Sequence, residues 1–527
     1  MKLKLPAGAH GGQAMLWRLF DAAMQPTFIV TAAVLLLALF VGLATPAYVG
    51  LMGTSPGKLL ALPALIVLGL FLLYDKRALI IAILLFRSIG DPVLETTKIS
   101  VGGAQVGLGL GINLVVILIA TLFVLERPKE FPKSLANGWW PFMVLAAIGF
   151  GITPNKGEGV RVLLAVFSYF AMFIIGTYLT RTREDFKYCI KIVIASSVLP
   201  MIWAVIDMVL HARSTEFRLE GAFTHPNIMA FYLTLIISLL LYVLKGSTFT
   251  LSPGQRFGTS CYMLIQITLL LLTQCRSAWI ACAAIFVMYA VVFERKYLLY
   301  LLLMPVVAAL IPSVRERILD MTGGNGDDVY MYARLNSFAW RVILWEAGLK
   351  WMEPVRYLFG YGLEAFRFHS QTFFPLSGGI DWSPHNLLMQ WLFDLGVVGL
   401  GAYLFTFWHC IARLRGMYRV DRLGSVLFIA TMIAHLIVSM SDNLFAYLVF
   451  NWYFWFIVGC ACTMAPAAIK ASRRYAAPGR VPGLAPPAPG WHPGSNPGLN
   501  SGLNPSLNPG LAPGAASAAA QPLRAPR

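Results

Sequence analysis

The sequence predicts an all-α polytopic membrane protein with about 12–14 transmembrane helices. Three observations predict it. The 527 residues are 58% hydrophobic and only 12% charged, against about 25% charged in soluble domains. The apolar residues fall in runs, many of them close to the roughly 20 residues a helix needs to cross a bilayer core. Basic residues gather in alternate loops between those runs, the bias that orients membrane helices. A soluble chain of this length would need a polar coat that is missing here. A cytosolic enzyme, a disordered scaffold and a secreted disulfide domain are therefore excluded. Helices are expected because a spanning segment must satisfy its own backbone polar groups.

A cytoplasmic N-terminus, 1–27, comes first. Roughly fourteen apolar runs follow, at about 28–46, 59–74, 78–90, 106–125, 139–153, 159–180, 188–209, 226–244, 257–274, 276–293, 297–312, 386–408, 424–440 and 444–464. The first could mimic a signal peptide, but its length and the spans behind it favour an uncleaved helix. The second, third and fifth are short and read as tilted, re-entrant or broken. With Lys2, Lys4 and Arg18 in the cytoplasm, alternation gives the cytoplasmic loops about nineteen Lys and Arg and the short outer loops about six. Both termini are then cytoplasmic. The expected organisation is a transmembrane bundle over 28–312, a long outer loop over 313–385, C-terminal transmembrane helices over 386–464 and a Pro/Gly-rich disordered tail over 465–527. In the long loop, Phe338, Val342, Trp345 and Leu349 recur at helical spacing after Ser337. They predict an amphipathic helix on the outer membrane face. In the tail, Leu499, Leu503, Leu507 and Leu511 repeat every four residues, but the intervening Pro and Gly forbid a stable helix.

The net charge of +17 follows from this loop bias, and no basic stretch with interleaved aromatics suggests nucleic acid. Seven cysteines lie in or beside apolar runs without metal-site spacing and read as small apolar residues. Gly107, Gly109 and Gly111 lack dinucleotide-binding spacing and sit in a span, where small residues allow close packing. Asp327-Asp328 reads as a turn. No P-loop and no convincing metal site is present.

The informative residues are the exceptions to the charge rule. Arg161, Arg218 and Arg276 lie at outer span ends, Arg87 near another, and Arg334 and Arg341 in the long loop. An arginine near the apolar region costs about 2.5–3.5 kcal/mol at mid-membrane on insertion scales, so it needs a partner or a task. Few carboxylates are available on that side. An anionic ligand such as a diphosphate suits the planar guanidinium fork; snorkelling to lipid headgroups is the bland alternative. Arg276 has almost no loop to escape into, which favours a ligand. Ser383-Pro384-His385-Asn386 opens a span, with Ser383 as N-cap and His385 in the first turn, where free N–H groups favour an anion. Asn386, Gln390 and Asp394 continue as a polar stripe facing protein or a wet cavity. His385 suits a general base near neutral pH. His225 precedes another span on the same side and is either a second such candidate or a turn residue set by Pro226. Asp442, in Ser441-Asp442-Asn443, either orients a base or acceptor or caps a helix. Asp207 reads as an intramembrane partner for an arginine. His369 and His435 carry little functional weight.

Arg341 with Trp345, then Gly360-Tyr361-Gly362, then His385-Asn386 with Gly396 and Gly399 downstream, form an ordered set. Upstream stand the Gly221–Asn227 stretch and Arg276-Ser277. This order around one long outer loop, over about 210–440, resembles the superfamily of O-antigen ligases and O-antigen or exopolysaccharide polymerases, which includes some O-linked oligosaccharyltransferases. The resemblance implies a membrane glycosyltransferase fold of the GT-C type in a bacterial inner membrane, with 313–385 in the periplasm. It implies an undecaprenyl-diphosphate-linked glycan donor, a glycan or lipid acceptor, and an inverting transfer without metal or other cofactor. Membrane lipids and other polysaccharide assembly proteins are the remaining expected partners. Carried over by residue, Arg276 and Arg341 would hold the diphosphate, with Arg161 and Arg218 as weaker matches. His385 would activate the acceptor hydroxyl and Asp442 would support the site. His225, Asn386 and Asp394 are further candidates.

The leading expectation is a polysaccharide polymerase, which joins a growing chain to the next lipid-linked repeat. The length of the chain and its span count favour it over a ligase to lipid A-core or to protein. A flippase for lipid-linked sugars would also use arginines. It would be expected to show internal repeats with midplane polar sites, and neither is evident. A non-catalytic scaffold is the remaining alternative.

Overall fold

The computed structural model describes residues 56–97, 99–101, 104–211, 218–308, 315 and 337–475. The expected first span at 28–46, the tail beyond 475, and Asp327, Asp328 and Arg334 lie outside the described residues. The other thirteen apolar runs all fall on helices. Seven described helices are long and apolar enough to cross a membrane, and three more of 10–17 residues are apolar. The chain is an all-α multi-pass membrane protein, relieved among the described residues only by a two-stranded hairpin, Ile99–Val101 with Ala104–Val106.

Several expected boundaries move for local reasons. The run at 188–209 divides into Arg183–Ala195 and Val198–His211. The hydroxyls of Ser196 and Ser197 turn to the backbone carbonyls of Val193 and Ile194 at this break, an alternative that serine offers a helix. The helix Leu448–Tyr475 runs past the expected end at 464. Helix Lys156–Leu179 crosses Leu448–Tyr475 at glycines: a Cβ on Gly176 would lie 2.3 Å from the Phe456 carbonyl oxygen, and one on Gly459 would lie 2.2 Å from that of Phe173. Small residues permit this backbone approach, and Trp452, Tyr453 and Phe456 fill the core around it.

The basic loops assigned to the cytoplasmic side are tied down by ion pairs. Lys76 meets Glu126 at 2.5 Å, Arg181 meets Glu130 at 2.6 Å and Lys245 meets Glu294 at 2.7 Å.

The long loop builds a second, smaller core. Helix Ser337–Trp351 packs Trp340, Ile343 and Leu344 against Phe366 and Phe373 of helix Ala365–Phe373, with Met389 and Phe393 beneath. The expected single apolar face of Phe338, Val342, Trp345 and Leu349 is therefore too narrow. Apolar residues occupy most of the circumference, as in a helix packed against protein.

This core is seated on a break in helix Leu387–Arg415. Gly396 has φ +69 inside that helix, a left-handed conformation glycine adopts without penalty. The break diverts two carbonyls from the helix ladder. Phe393 O accepts from Tyr361 N–H at 3.1 Å and Asp394 O from Gly362 N–H at 2.8 Å. A Cβ at 396 would stand 2.2 Å from the Leu358 carbonyl carbon. The Gly360–Gly362 turn and Gly396 are thus two halves of one joint.

Candidate functional site

Five chain segments, 218–227, 274–280, 341, 385 and 441–447, converge on one cavity of about 410 Å³. All five belong to parts of the chain that the charge bias assigns to the outer side. Arg218, Arg276 and Arg341 line the cavity, with His225, His385 and Asp442.

Each arginine is placed by a local break in structure. Helix Pro253–Leu272 ends and Arg276–Val292 begins across Thr273–Cys275, where Gln274 takes φ +54. That turn sets Arg276 at the first helical position, half-buried at the cavity wall. Arg218 lies against the same helix end, where its Nε donates to Thr273 O at 3.3 Å and its terminal nitrogen to Asn227 Oδ1 at 3.1 Å. Arg341 projects from helix Ser337–Trp351 and donates to Ser441 O at 2.7 Å. Among the described residues, the hydrogen bonds of Arg218 and Arg341 go to uncharged oxygens, an arrangement that keeps a guanidinium available to an anion.

His385 stands at φ +46, an uncommon conformation for a side chain of its size. Two contacts hold the segment. Trp345 Nε1 donates to Pro384 O at 2.6 Å. The Asn386 side chain accepts from Leu388 N–H and Met389 N–H at 3.0 and 3.1 Å. Asn386 is therefore the N-cap, and the helix begins at Leu387. This corrects the expected start at Ser383 and takes His385 out of the helix, because Asn386 satisfies the first N–H groups from inside the Ser-Pro-His segment. Burial lowers the His385 pKa below the ordinary histidine value; Arg341 and His225 lower it further and Asp442 opposes them. The shift favours the neutral imidazole.

Asp442 is buried and accepts three hydrogen bonds. Asn227 Nδ2 donates at 2.6 Å, Asn443 N–H at 2.8 Å and Tyr447 Oη at 3.0 Å. Since Asn227 also accepts from Arg218, the chain Arg218–Asn227–Asp442–Tyr447 forms one hydrogen-bonded unit. Asn227 and Tyr447 were not singled out from sequence. The His225-Pro226-Asn227 helix start was the available signal for Asn227; Tyr447 had none.

The other expected residues are distributed differently. His225 is the N-cap of helix Pro226–Lys245, with Nδ1 accepting from Asn227 N–H at 3.1 Å, and its ring stacks on Tyr447. The turn reading therefore describes its bonding, although it also lines the cavity. Asp394 lines neither cavity described here. It is fully buried and accepts from Glu364 N–H at 2.8 Å and Phe366 N–H at 3.0 Å, capping helix Ala365–Phe373. Gln390 bridges from it to Glu364 and Asn443. Arg161, expected as a weaker diphosphate contact, stands apart from the other three arginines. It is bound by both oxygens of Glu158, at 2.8 and 3.0 Å, and lines a neighbouring cavity rather than the arginine cavity. The acid at i−3 on its own helix reaches it first. Arg87 is buried, paired with Asp91 at 2.6 Å and set over the Trp452 ring. Asp207 accepts from Gly221 N–H at 3.2 Å.

The neighbouring cavity, about 470 Å³, shares His385, Asp442 and Tyr447 with the first. Among the described residues, no group of three or more His, Cys, Asp or Glu is placed to hold a metal ion.

A polytopic membrane protein with two cavities meeting at a neutral histidine, one of them rich in arginine, is suited to handling an anionic lipid-borne substrate. Residues 261–404 match the family model described as O-Antigen ligase. That segment carries a likeness to the O-antigen ligase and polymerase superfamily. The match is narrower than the expected 210–440; it includes Arg276, Arg341 and His385, while Arg218, His225 and Asp442 lie outside it. No curated protein matches the chain. The match supports a ligase- or polymerase-type membrane enzyme, a type that acts on a lipid-linked glycan and an acceptor.

Proposed function

We propose that the protein is a polysaccharide polymerase of a bacterial inner membrane, with both termini in the cytoplasm. It takes a growing glycan from undecaprenyl diphosphate and places it on a hydroxyl of the next lipid-linked repeat. The observation that carries this reading is the convergence of Arg218, Arg276 and Arg341 on one cavity edged by His385.

The chemistry follows from charge. The leaving group is a lipid diphosphate, and negative charge grows on its bridging oxygen as the bond to the anomeric carbon breaks. Preorganised guanidinium groups stabilise that charge. The acceptor hydroxyl is a poor nucleophile, and a neutral imidazole takes its proton as the new bond forms. His385 is assigned that proton. The hydroxyl oxygen attacks the anomeric carbon from the face opposite the diphosphate, so the configuration inverts. The electron pair of the broken bond leaves with the diphosphate. This supplies a full transfer step from arginines and one histidine, without metal. Asp442 orients the site through Asn227 and Tyr447.

The test is glycan profiling of a deletion strain complemented with wild type, His385→Ala or Arg276→Ala. Loss of long chains, with single repeats on the final acceptor, is the expected result for the deletion and both variants. Long chains accumulating on undecaprenyl diphosphate would identify a ligase. Normal profiles from both variants would overturn the proposed site.

A further inference from the structure

The cavity beyond His385 differs from the arginine cavity in chemical character. Its guanidinium groups are Arg87, Arg161 and Arg367, and the first two are engaged by Asp91 and Glu158 within 2.8 Å. Glu95, Glu364 and Asp442 add three further carboxylates to its walls.

Two amide oxygens of residues that line this cavity have no hydrogen-bond donor among the described residues, and both atoms are themselves buried. Asn113 Oδ1 is buried on helix Leu108–Glu126, in a side chain 8% exposed. Asn443 Oδ1 is the second. The Asn443 amide is oriented by its nitrogen, which donates to Gln390 Oε1 and to Ser383 Oγ. A buried carbonyl oxygen without a donor costs about 1–3 kcal/mol, so such atoms point to a ligand that supplies one. Asn113 and Asn443 line the same cavity, together with Glu364, whose backbone is held at φ +59 by the Asp394 cap. Hydrogen-bond acceptors thus dominate the walls. A partner rich in donors fits, and a partner rich in negative oxygens does not.

We propose that this second cavity seats the acceptor sugar through its hydroxyl donors, on Asn113, Asn443 and Glu364, and selects a neutral or amino sugar over an anionic one. The assignment rests on the proposed donor site, because it is the shared wall of His385 and Asp442 that brings an acceptor hydroxyl to the reacting carbon. The two cavities divide the substrates by charge: diphosphate on the arginine side, polyol on the amide and carboxylate side. An acceptor sugar carrying phosphate or carboxylate would place its charge against Glu364 and Asp442 with one guanidinium, Arg367, outside the two ion pairs above.

The test uses the full chain in nanodiscs and saturation-transfer NMR with three soluble probes: maltotriose, the chitosan trimer and the galacturonate trimer. Binding of undecaprenyl diphosphate is measured in the same samples. Maltotriose and the chitosan trimer are expected to give signal and the galacturonate trimer at least about tenfold less, the discrimination that unpaired buried polar groups supply. Asn113→Leu is expected to abolish the sugar signal and leave undecaprenyl diphosphate bound, while Arg276→Ala does the reverse. Asn113→Ser, which is smaller and keeps a hydroxyl acceptor, retains part of the signal and controls for folding. Equal or stronger binding of the galacturonate trimer overturns the proposal, as does sugar binding unchanged in Asn113→Leu. Absence of signal from all three sugars also overturns it, and retained undecaprenyl diphosphate binding would then leave the donor site standing.

Discussion

The two cavities share His385, Asp442 and Tyr447, yet two arginines of each are held in contrasting ways. In the first, Arg218 and Arg341 are oriented by backbone carbonyls and an amide oxygen. In the second, Arg87 and Arg161 are each bound by a carboxylate three or four residues away on the chain. A guanidinium held by neutral oxygens keeps its charge for a ligand, whereas one held by a carboxylate has spent it on structure. The difference teaches that an outward arginine in a membrane protein is not by itself a substrate contact. The identity of its hydrogen-bond acceptors decides.

Four experiments would break or sharpen this contrast. The largest effect belongs to the residue both cavities share. His385→Ala should lower glycan transfer about 10²–10⁴-fold, the usual contribution of a general base, while undecaprenyl diphosphate still binds. A transfer assay paired with a lipid-binding assay reads both. Next come the cavity-specific arginines. Arg276→Ala or Arg341→Ala should cost about 10²–10³-fold in transfer, as for loss of one preorganised charge-stabilising group. Arg161→Ala should leave the affinity for undecaprenyl diphosphate within about twofold, because its charge already faces Glu158 and a paired surface charge contributes little elsewhere. If Arg161→Ala weakened diphosphate binding as much as Arg276→Ala, the contrast between the cavities would be lost.

A smaller effect is expected at the joint beneath the second cavity. Gly396→Ala forces a side chain into φ +69 and against Leu358, at a backbone cost of about 1–3 kcal/mol. Thermal unfolding in detergent should show a lower midpoint, with the long-loop core released before the membrane helices.

The finest test is the pH profile. Burial and Arg341 hold His385 below the ordinary histidine pKa, and Asp442 opposes them. Transfer needs the neutral ring, so kcat/KM should fall only as pH drops through that lowered value. Asp442→Asn removes the opposing charge and should move the acid limb further down. Arg341→Ala removes a lowering charge and should move the limb of its residual activity up. Bound diphosphate stabilises the imidazolium, so the limb of kcat should lie above that of kcat/KM. A limb at the ordinary histidine value, unmoved by either substitution, would separate His385 from the rate-determining proton transfer.

Much of this was legible in the chain. Thirteen of the expected spans fall on helices, because twenty apolar residues have few alternatives in a bilayer. Arg276 and His385 were identifiable as polar groups at span ends, and Arg341 as a basic residue of the long outer loop. Their neighbours were not. Tyr447 looks like any aromatic near a membrane interface, and only its bond to Asp442 distinguishes it. Asn113 sits in an apolar run and shows its interest only through an oxygen that has no donor.

By itself the sequence determined which segments are apolar enough to form buried or spanning helices, how basic residues are shared among the loops and which residues carry charge or a titratable ring. Those properties belong to composition and to short stretches of chain, where hydrophobic transfer and the positive-inside bias act locally. The tertiary structure alone decided which arginines stand together, that Arg161 faces Glu158 in a different cavity, and that Asn386 rather than Ser383 starts the helix below His385. Contacts between residues more than two hundred positions apart, such as Asn227 with Asp442, depend on how helices pack, and no local pattern encodes that distance.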